Sequence, residues 1–333
     1  MMTEILKKEQ GGACVASKPR IVAVVGSTAS GKSALALELA ERLNGEIVSC
    51  DSMQIYRGMD IGTAKPTAVE MAGIPHHMID VAEADEPFCA ADYVTGARAA
   101  IEDIVARGGL PILCGGTGLY LDSLLRGGFA ETRADPALRE RLLAYAAENG
   151  AHALHERLRE VDPESAAAIH ENNVKRVVRA LEIYESTGTT KSETDRVSKE
   201  AETPYDATVV GLFYPTRSIL YERIERRVDQ MLADGLAEET RRLDAAGVFL
   251  KNSTAAQAIG YKELLPFVRA EEPLAAARER LVVATRHYAK RQLTWFGAKD
   301  YVRRVEMERD GKLRSLAEVA DEVTAIWNEG KKL

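Results

Sequence analysis

The sequence contains few cysteines, with four among 333 residues, at Cys14, Cys50, Cys89 and Cys114. No two of them form a C-x-x-C pair, so the sequence indicates neither a disulfide framework nor a zinc site. We therefore expect buried thiols in a protein of a reducing compartment.

Long apolar segments are also missing. No run approaches the roughly 18 apolar residues that a membrane-spanning helix needs. The first twenty residues have no apolar centre of the kind found in secretory signals. The hydrophobic fraction of 46% is that of an ordinary globular protein. We expect a cytoplasmic protein without membrane contact, preceded by a flexible extension over residues 1–19.

An overall positive charge is missing too, since the formal net charge is −7. A protein that binds nucleic acid through its whole surface is therefore excluded, although local basic patches stay compatible with a polyanion.

The most informative feature that is present is Gly26-Ser27-Thr28-Ala29-Ser30-Gly31-Lys32-Ser33. It fits the pattern G-x-x-x-x-G-K-(S/T) and lies between the apolar run Ile21–Val25 and a helical pattern over Ala34–Leu43. Backbone N–H groups and the helix N-terminus would surround phosphate oxygens in such a loop. Lys32 would reach the terminal phosphate and Ser33 would bind Mg²⁺. The motif predicts a di- or triphosphate ligand without identifying it.

Strand and helix patterns alternate along the chain around this loop and after it. Apolar strands are predicted at 21–25, 46–50, 110–114, 208–214 and 301–306. Helices are predicted at 90–107, 218–234, 236–246, 254–268, 274–296 and 316–328. This order predicts an α/β fold, a P-loop NTPase-like parallel sheet flanked by helices.

Residues 129–201 have a different character, because no β-rich run occurs there. Asp135-Pro136 and Asp162-Pro163 are typical helix starts, with a capping Asp before a first-turn Pro. Gly150 and Gly188 are typical helix ends. The pattern predicts an all-helical insertion domain at 129–201, between core segments 20–128 and 202–333.

Asp51 is the one strand-end carboxylate close to the loop in sequence. The run Leu110–Cys114 ends in glycines and lacks the Asp of an ordinary Walker B strand. Because Asp51 follows the second strand, it would lie at the carboxyl edge of the sheet beside the phosphates. It could support Mg²⁺ in a kinase, act as a base facing an acceptor, or cap the following turn. The residues alone do not choose among these roles.

Two segments are strongly basic. Lys175, Arg176 and Arg179 lie on adjacent turns of one predicted helix. Residues 285–304 carry six basic residues against the single acid Asp300, with aromatic residues between them. Each segment alone is compatible with a solvated helix face. Together, in a chain with a phosphate-binding loop, they favour contact with RNA.

The ordered set of motifs resembles the tRNA dimethylallyltransferases over about Arg20 to Phe296. Ser27 and Ser33 stand where Pro and Thr are common in that family, and neither change removes a phosphate or Mg²⁺ contact. The motifs that carry the resemblance are the loop at 26–33 and Asp51–Pro66, Gly73–His77, Gly115–Tyr120, Arg176–Glu182, Ile259–Glu263 and Ala289–Trp295.

The resemblance implies transfer of a dimethylallyl group from dimethylallyl diphosphate to N6 of the adenosine 3′-adjacent to the anticodon, in tRNAs that read codons beginning with U. It implies that Asp51 is the general base and that Lys32, Arg227 and Thr117 are also catalytic. The whole loop at 26–33 and Arg223 would bind the donor diphosphate, with Mg²⁺ as cofactor.

The resemblance also implies a set of residues that contact the tRNA anticodon stem-loop, and we expect the protein to act as a monomer. Adjacent His76 and His77 would point opposite ways on an extended segment, so we do not expect them to share a metal. The implied tRNA contacts are Asp51, Ser52, Met53, Gln54, Thr117, Lys175, Arg176, Val177, Val178, Arg179, Gly260, Tyr261, Lys290 and Arg291.

Two alternative functions share the loop. One is prenylation of a free adenine nucleotide, which would not need the basic segments. The other is a small-molecule P-loop kinase, which the glycine-ended third predicted strand disfavours.

Overall fold

The protein, described here from a computed structural model over residues 18–126 and 135–330, is built on a six-stranded sheet. All pairs in this sheet are parallel, and the strand order is β3-β2-β4-β1-β5-β6. The strands are β1 Arg20–Gly26, β2 Gly45–Ser49, β3 His76–His77, β4 Leu110–Gly115, β5 Asp206–Phe213 and β6 Val302–Glu306.

Helices cover both faces of the sheet. The helices of the core are α1 Lys32–Leu43, α2 Ala68–Met71, α3 Ala90–Ala106, α4 Gly118–Leu125, α9 Arg217–Ala233, α10 Leu236–Ala245, α11 Val248–Lys251, α12 Tyr261–Val268, α13 Leu274–Gly297 and α14 Leu316–Glu329. A short hairpin, β7 Glu308–Arg309 and β8 Lys312–Leu313, precedes α14. The predicted α/β class with a parallel sheet is confirmed.

Strand β1 is apolar throughout because both of its faces are buried, as is usual for a central parallel strand. Val22 and Val24 pack in the core that α1 and α14 complete. Ile21 and Val25 face the opposite core, which α3 and α4 complete. Val25 pairs with Gly115 of β4, so the loop after β1 and the turn after β4 leave the same edge of the sheet.

Between α4 and β5 the described residues form helices alone: α5 Pro136–Val161, α6 Pro163–Ala168, α7 Val174–Thr187 and α8 Lys191–Glu200. Asp135 and Asp162 cap α5 and α6 through their side chains, as predicted. Gly150 breaks α5 with φ 88°, and Gly188 ends α7 with φ 71°. These helices share their own apolar core, which includes Leu142, Leu154 and Leu181.

One predicted helix is wrong. Thr254–Val268 was expected to be continuous, but a 3₁₀ turn at Ala255–Gln257 is followed by an extended Ala258 and then by α12. Gly260 has φ 106° and ψ −64°, which an L-residue rarely adopts, so the chain turns sharply there. The strand β3 and the helix α4 were not predicted, since two and eight residues carry little periodicity.

The expectation of buried cysteines holds for two of the three cysteines among the described residues. Cys50 and Cys114 are buried, but Cys89 is exposed at the start of α3. Cys14 and residues 1–17 of the expected extension lie outside the described residues, as do residues 127–134, which include the start of the expected insertion. In the part of the chain that the structure describes, no helix is long and apolar enough to cross a bilayer.

Candidate active site

A cavity opens at the carboxyl edge of the sheet, where the segments after β1, β2 and β4 meet. Lys32 and Ser33 line it from the first turn of α1, and Asp51 lines it from the turn after β2. Gly115 lines it from the end of β4. Parallel sheets bind ligands at this edge, so the topology brings together groups that are far apart in sequence.

The loop after β1 has the backbone that phosphate binding needs. Ala29 and Gly31 have φ values of 60° and 93°, so successive N–H groups turn towards a common side. The first N–H groups of α1 have no partner inside the helix and point at the same space. Lys32 reaches back along the loop, and its Nζ donates to the Ser27 carbonyl at 3.2 Å. Burial lowers the pKa of this lysine, and nearby Arg227 lowers it further.

Helix α9 presents two arginines one turn apart to this loop. Arg223 Nε donates to the Ala29 carbonyl at 2.8 Å and so fixes the loop from outside. Arg227 lines the cavity itself. Burial lowers the pKa of the Arg227 guanidinium, while the charge of Asp51 opposes that shift. The structure therefore brings Arg227, Lys32 and Asp51 together, whereas Arg223 contacts the loop backbone.

Asp51 caps the turn that follows β2, which is one of its three suggested roles. Its Oδ1 accepts the Met53 N–H at 2.9 Å, which holds the turn after β2. Its Oδ2 accepts no hydrogen bond from the described residues, and the side chain lines the cavity. Thr117 lies behind this turn, where its Oγ1 accepts the Ser52 N–H at 3.0 Å. A carboxylate oriented by its own turn thus faces the loop lysine across the cavity.

The cavity also has an apolar wall. It is formed by side chains from α1, β2, α9 and α13 and from two loops, and such a wall favours an apolar group of a ligand. The wall includes Leu37, Ile47, Ile79, Ile224, Val228, Met231, Ile259 and Leu281.

The sequence of this chain matches a known protein family. Residues 54–299 match the sequence pattern of the IPP transferase family. The chain belongs to this family. It is 48% identical over 286 residues to a tRNA dimethylallyltransferase of Caldanaerobacter subterraneus, covering 85% of this chain and 90% of the relative. It is 51% identical over 278 residues to one of Geobacillus thermodenitrificans, covering 83% and 87%.

Solved structures of IPP transferases are also similar. A full-length tRNA isopentenylpyrophosphate transferase of Bacillus halodurans matches with a TM-score of 0.68 and 43% identity, covering 95% of this chain and 99% of that one. A eukaryotic dimethylallyltransferase described as acting on tRNA matches with a TM-score of 0.73 and 32% identity, covering 86% and 73%.

In this IPP transferase, the segment after Asp51 is tightly held. Gln54 Oε1 accepts the Ser49 hydroxyl at 3.0 Å, and its Nε2 donates to the Ala64 carbonyl at 3.2 Å. Ser52, Met53 and Gln54 all line the cavity. Gly260 also lines it, but Tyr261 is fully buried and donates its hydroxyl to Glu239 at 2.7 Å. Tyr261 therefore supports the cavity from behind.

The basic residues of α7 have different surroundings. Lys175 and Arg176 are exposed. Val177 and Val178 are 0% and 2% exposed, so their side chains belong to the core of the helical region. Any contact of this helix with tRNA would therefore be made by the exposed residues next to them. Arg179 pairs with the buried Glu182 at 3.1 Å.

The second basic segment does not form one face. Arg286 pairs with Glu225, and Lys299 pairs with the buried Asp122 at 2.6 Å. Lys290 and Arg291 are exposed on α13, and Arg291 also lines the cavity. Arg291 is therefore the basic residue of this segment that lies at the cavity, and Lys290 is exposed next to it in sequence.

Sequence reasoning missed two side chains of α13 at the cavity, Tyr288 and Gln292. Burial raises the pKa of the Tyr288 hydroxyl, and the charge of Asp51 adds to that effect. The only signal in the sequence was their place beside Lys290 and Arg291, which does not reveal which face of a helix meets the sheet.

The two histidines of β3 do not share a site. His76 lines the cavity, whereas His77 Nε2 lies 2.7 Å from Glu46 Oε2 on the other side of the strand. Over residues 18–126 and 135–330, no group of three or more His, Cys, Asp or Glu side chains is placed to hold a metal.

Proposed function

We propose that this protein transfers a dimethylallyl group from dimethylallyl diphosphate to N6 of the adenosine 3′-adjacent to the anticodon of tRNA. Its membership of the IPP transferase family and the names of its relatives support the reaction class. The observation that carries the proposal is that Asp51 lies in one cavity with Lys32 and Arg227, next to an apolar wall.

The loop at 26–33 would hold the diphosphate of the donor. Its N–H groups and the N-terminus of α1 favour an anion, and Lys32 and Arg227 add two positive charges. As the allylic C–O bond breaks, negative charge grows on the departing diphosphate. Cations already placed in the cavity stabilise that charge without reorganising, which lowers the barrier.

Asp51 would act at the other end of the cavity. The N6 lone pair of adenine is delocalised into the ring, so this amine is a weak nucleophile. As the new bond forms between N6 and the allylic carbon, the N–H proton would pass to Asp51 Oδ2. The products are the N6-alkylated adenosine and diphosphate. The target base must leave its stack to reach this position.

The residues present also fit a Mg²⁺ ion. Such an ion keeps several waters and binds substrate phosphates with one or two protein oxygens, so a complete protein cage is not needed. The Ser33 hydroxyl, at the cavity and at the start of α1, would hold it. When bound, Mg²⁺ neutralises charge on the diphosphate.

The tRNA would contact the exposed basic residues. Arg291 lines the cavity and Lys290 is exposed beside it, so these two would contact the RNA near the target nucleotide. Lys175 and Arg176 would contact phosphates further along the stem. The cytoplasmic location and the monomeric state expected from the sequence stay predictions.

The test is to incubate the protein with Mg²⁺ and labelled dimethylallyl diphosphate in three separate reactions, which contain tRNA, AMP or ATP. Nucleoside analysis then locates the label. We expect label on adenosine of tRNA alone. Labelling of AMP with equal efficiency would favour a free-nucleotide prenyltransferase, and ATP turnover without RNA would favour a kinase.

A further inference from the structure

Gln292, which lies far along the chain, joins two parts of the cavity, the phosphate-binding loop and the turn after β4. It lies on α13 and is 5% exposed. Its Oε1 accepts the N–H of Thr28, in the phosphate-binding loop, at 2.8 Å. Its Nε2 donates to the carbonyl of Gly116, in the turn after β4, at 3.0 Å. A carboxamide can make this pair of bonds in one orientation only, since the loop offers a donor and the turn an acceptor.

The turn after β4 is packed just as closely on its other side. A Cβ added at Gly115 would lie 2.0 Å from the Cys50 carbonyl oxygen, so the backbone of Cys50 leaves no room for a side chain. The Cys50 N–H donates to the Cys114 carbonyl at 2.8 Å, and the Thr117 N–H donates to the Cys50 carbonyl at 3.1 Å. The turn therefore encloses the residue that directly precedes Asp51.

These contacts form a short rigid connection from the loop to the base. Gln292 is hydrogen-bonded to Thr28 on one side and to Gly116 on the other, and the turn at 115–117 is hydrogen-bonded to Cys50. A Cβ added at Gly116 would lie 2.1 Å from Gln292 Nε2 and 3.2 Å from its Cδ, so the amide fills the space beside the turn. The hydrogen bonds of the connection all involve backbone groups; the one to Gly116 is buried and the one to Thr28 is partly buried.

We propose that Gln292 is a positioning residue that fixes the separation between the diphosphate-binding loop and the turn that carries Asp51, an inference that rests on the proposed function. Transfer requires the allylic carbon, held through its diphosphate, and N6, held beside Asp51, to meet within bonding approach. A displacement of about 1 Å can cost on the order of 10²-fold in rate even when both partners still bind.

This role differs from diphosphate binding. The Thr28 N–H is one of the loop donors that a P-loop offers to phosphate, but here Gln292 accepts it. The amide oxygen of Gln292 is therefore already engaged with the backbone of the loop.

The test uses two substitutions that disturb the same contact from opposite sides. Gln292→Met keeps the length of the side chain and removes both hydrogen bonds. Gly116→Ala keeps the glutamine at position 292, but the added methyl group would displace its amide from the turn. For each variant we expect kcat to fall by about 10–100-fold. Affinities for inorganic diphosphate and for an anticodon stem-loop RNA, measured separately, should stay close to those of the wild type.

Two matched controls test whether a Gln→Met or a Gly→Ala substitution elsewhere in the protein would have the same effect. Gln230→Met changes an exposed glutamine of α9 that bonds Asp234. Gly297→Ala adds a methyl at the end of α13, where the nearest atoms lie at an ordinary 3.8 Å. Both should retain wild-type kcat.

A double substitution sharpens the result, because Gln292→Ala opens the space that the methyl of Gly116→Ala needs. The loss in kcat for Gln292→Ala with Gly116→Ala should be well below the product of the two single losses. Three results would each overturn the inference. The first is a wild-type kcat in Gln292→Met, and the second is a loss in the double variant equal to the product of the single losses. The third is a loss in kcat that is explained by the fraction of protein unfolded at the assay temperature. No transfer by the wild type would instead overturn the proposed function, and the inference with it.

Discussion

The two ends of the cavity are built in opposite ways. The end that we propose binds the donor, called the donor end below, consists of one continuous loop, residues 26–33, completed by α9. The end that we propose receives the adenosine, called the acceptor end, gathers Asp51–Gln54, Gly115 and residues of the segments 257–260 and 288–292. An anion needs a cluster of N–H groups, and a single tight loop can supply it. A planar base and its proton acceptor need groups from several directions, which the sheet edge brings together.

The largest effect should come from Asp51→Asn. Asn can still accept the Met53 N–H through its side-chain oxygen, so the turn should persist while the base is lost. We expect kcat to fall by about 10²–10⁴-fold, the usual loss for a general base. Affinities for diphosphate and RNA should not change. Single-turnover kinetics would measure the rate, and separate binding titrations would measure the two affinities. The control is Asp206→Asn, at the first residue of β5 and so at the opposite end of the strands from the cavity. Near-wild-type turnover by Asp51→Asn would refute the assignment of Asp51 as the base.

Lys32→Ala should damage the donor end alone. Removing one cation from a site of developing negative charge typically lowers the rate by about 10²–10³-fold. Inorganic diphosphate should bind more weakly, while stem-loop RNA binds as before. Lys312→Ala changes an exposed lysine of the β7–β8 hairpin and should have no effect. If Lys32→Ala instead lost RNA affinity and kept its donor affinity, the two ends would not be separable.

Glu239→Ala should destabilise the acceptor end. This carboxylate is 6% exposed and accepts the N–H groups of Asp60, Ile61 and Gly62 and the hydroxyl of Tyr261. Leaving buried donors without a partner costs about 1–3 kcal/mol, so the free energy of unfolding should fall by that amount in a denaturant titration. Glu238→Ala, next to it and exposed, should change little. An unchanged unfolding midpoint for Glu239→Ala would contradict this account.

The smallest effect concerns α7, far from the chemistry. Lys175→Gln with Arg176→Gln should reduce the slope of log affinity for tRNA against log salt by about 0.7–0.9 per charge. Arg179→Gln should reduce it less, because Arg179 already pairs with Glu182. Salt titrations of both variants and the wild type measure this. Equal slopes in all three would mean that α7 carries no phosphate contact.

The sequence predicted the donor end because its residues are consecutive and their spacing is itself the signal. The parallel sheet followed from the apolar runs, since strands buried on both faces are apolar throughout. The acceptor end depended on the family resemblance. Nothing in the sequence indicated that Gln292 would reach Gly116, since 176 residues separate them.

Charge patterns were less informative than apolar ones. A run of basic residues shows neither which side chains already pair, as Arg286 does with Glu225, nor which lie at a cavity mouth. Helical periodicity alone could have placed Val177 and Val178 inside, because they lie on one side of α7 with Leu181.

The most direct test of the central claim is transfer to N6 itself. An anticodon stem-loop RNA would be compared with an RNA of the same sequence in which the target adenosine is replaced by purine riboside, which lacks the N6 amine. With labelled dimethylallyl diphosphate and Mg²⁺, the account predicts label on the first RNA, recovered as N6-alkylated adenosine, and none on the second. Equal labelling of both RNAs, or none of either, would contradict it.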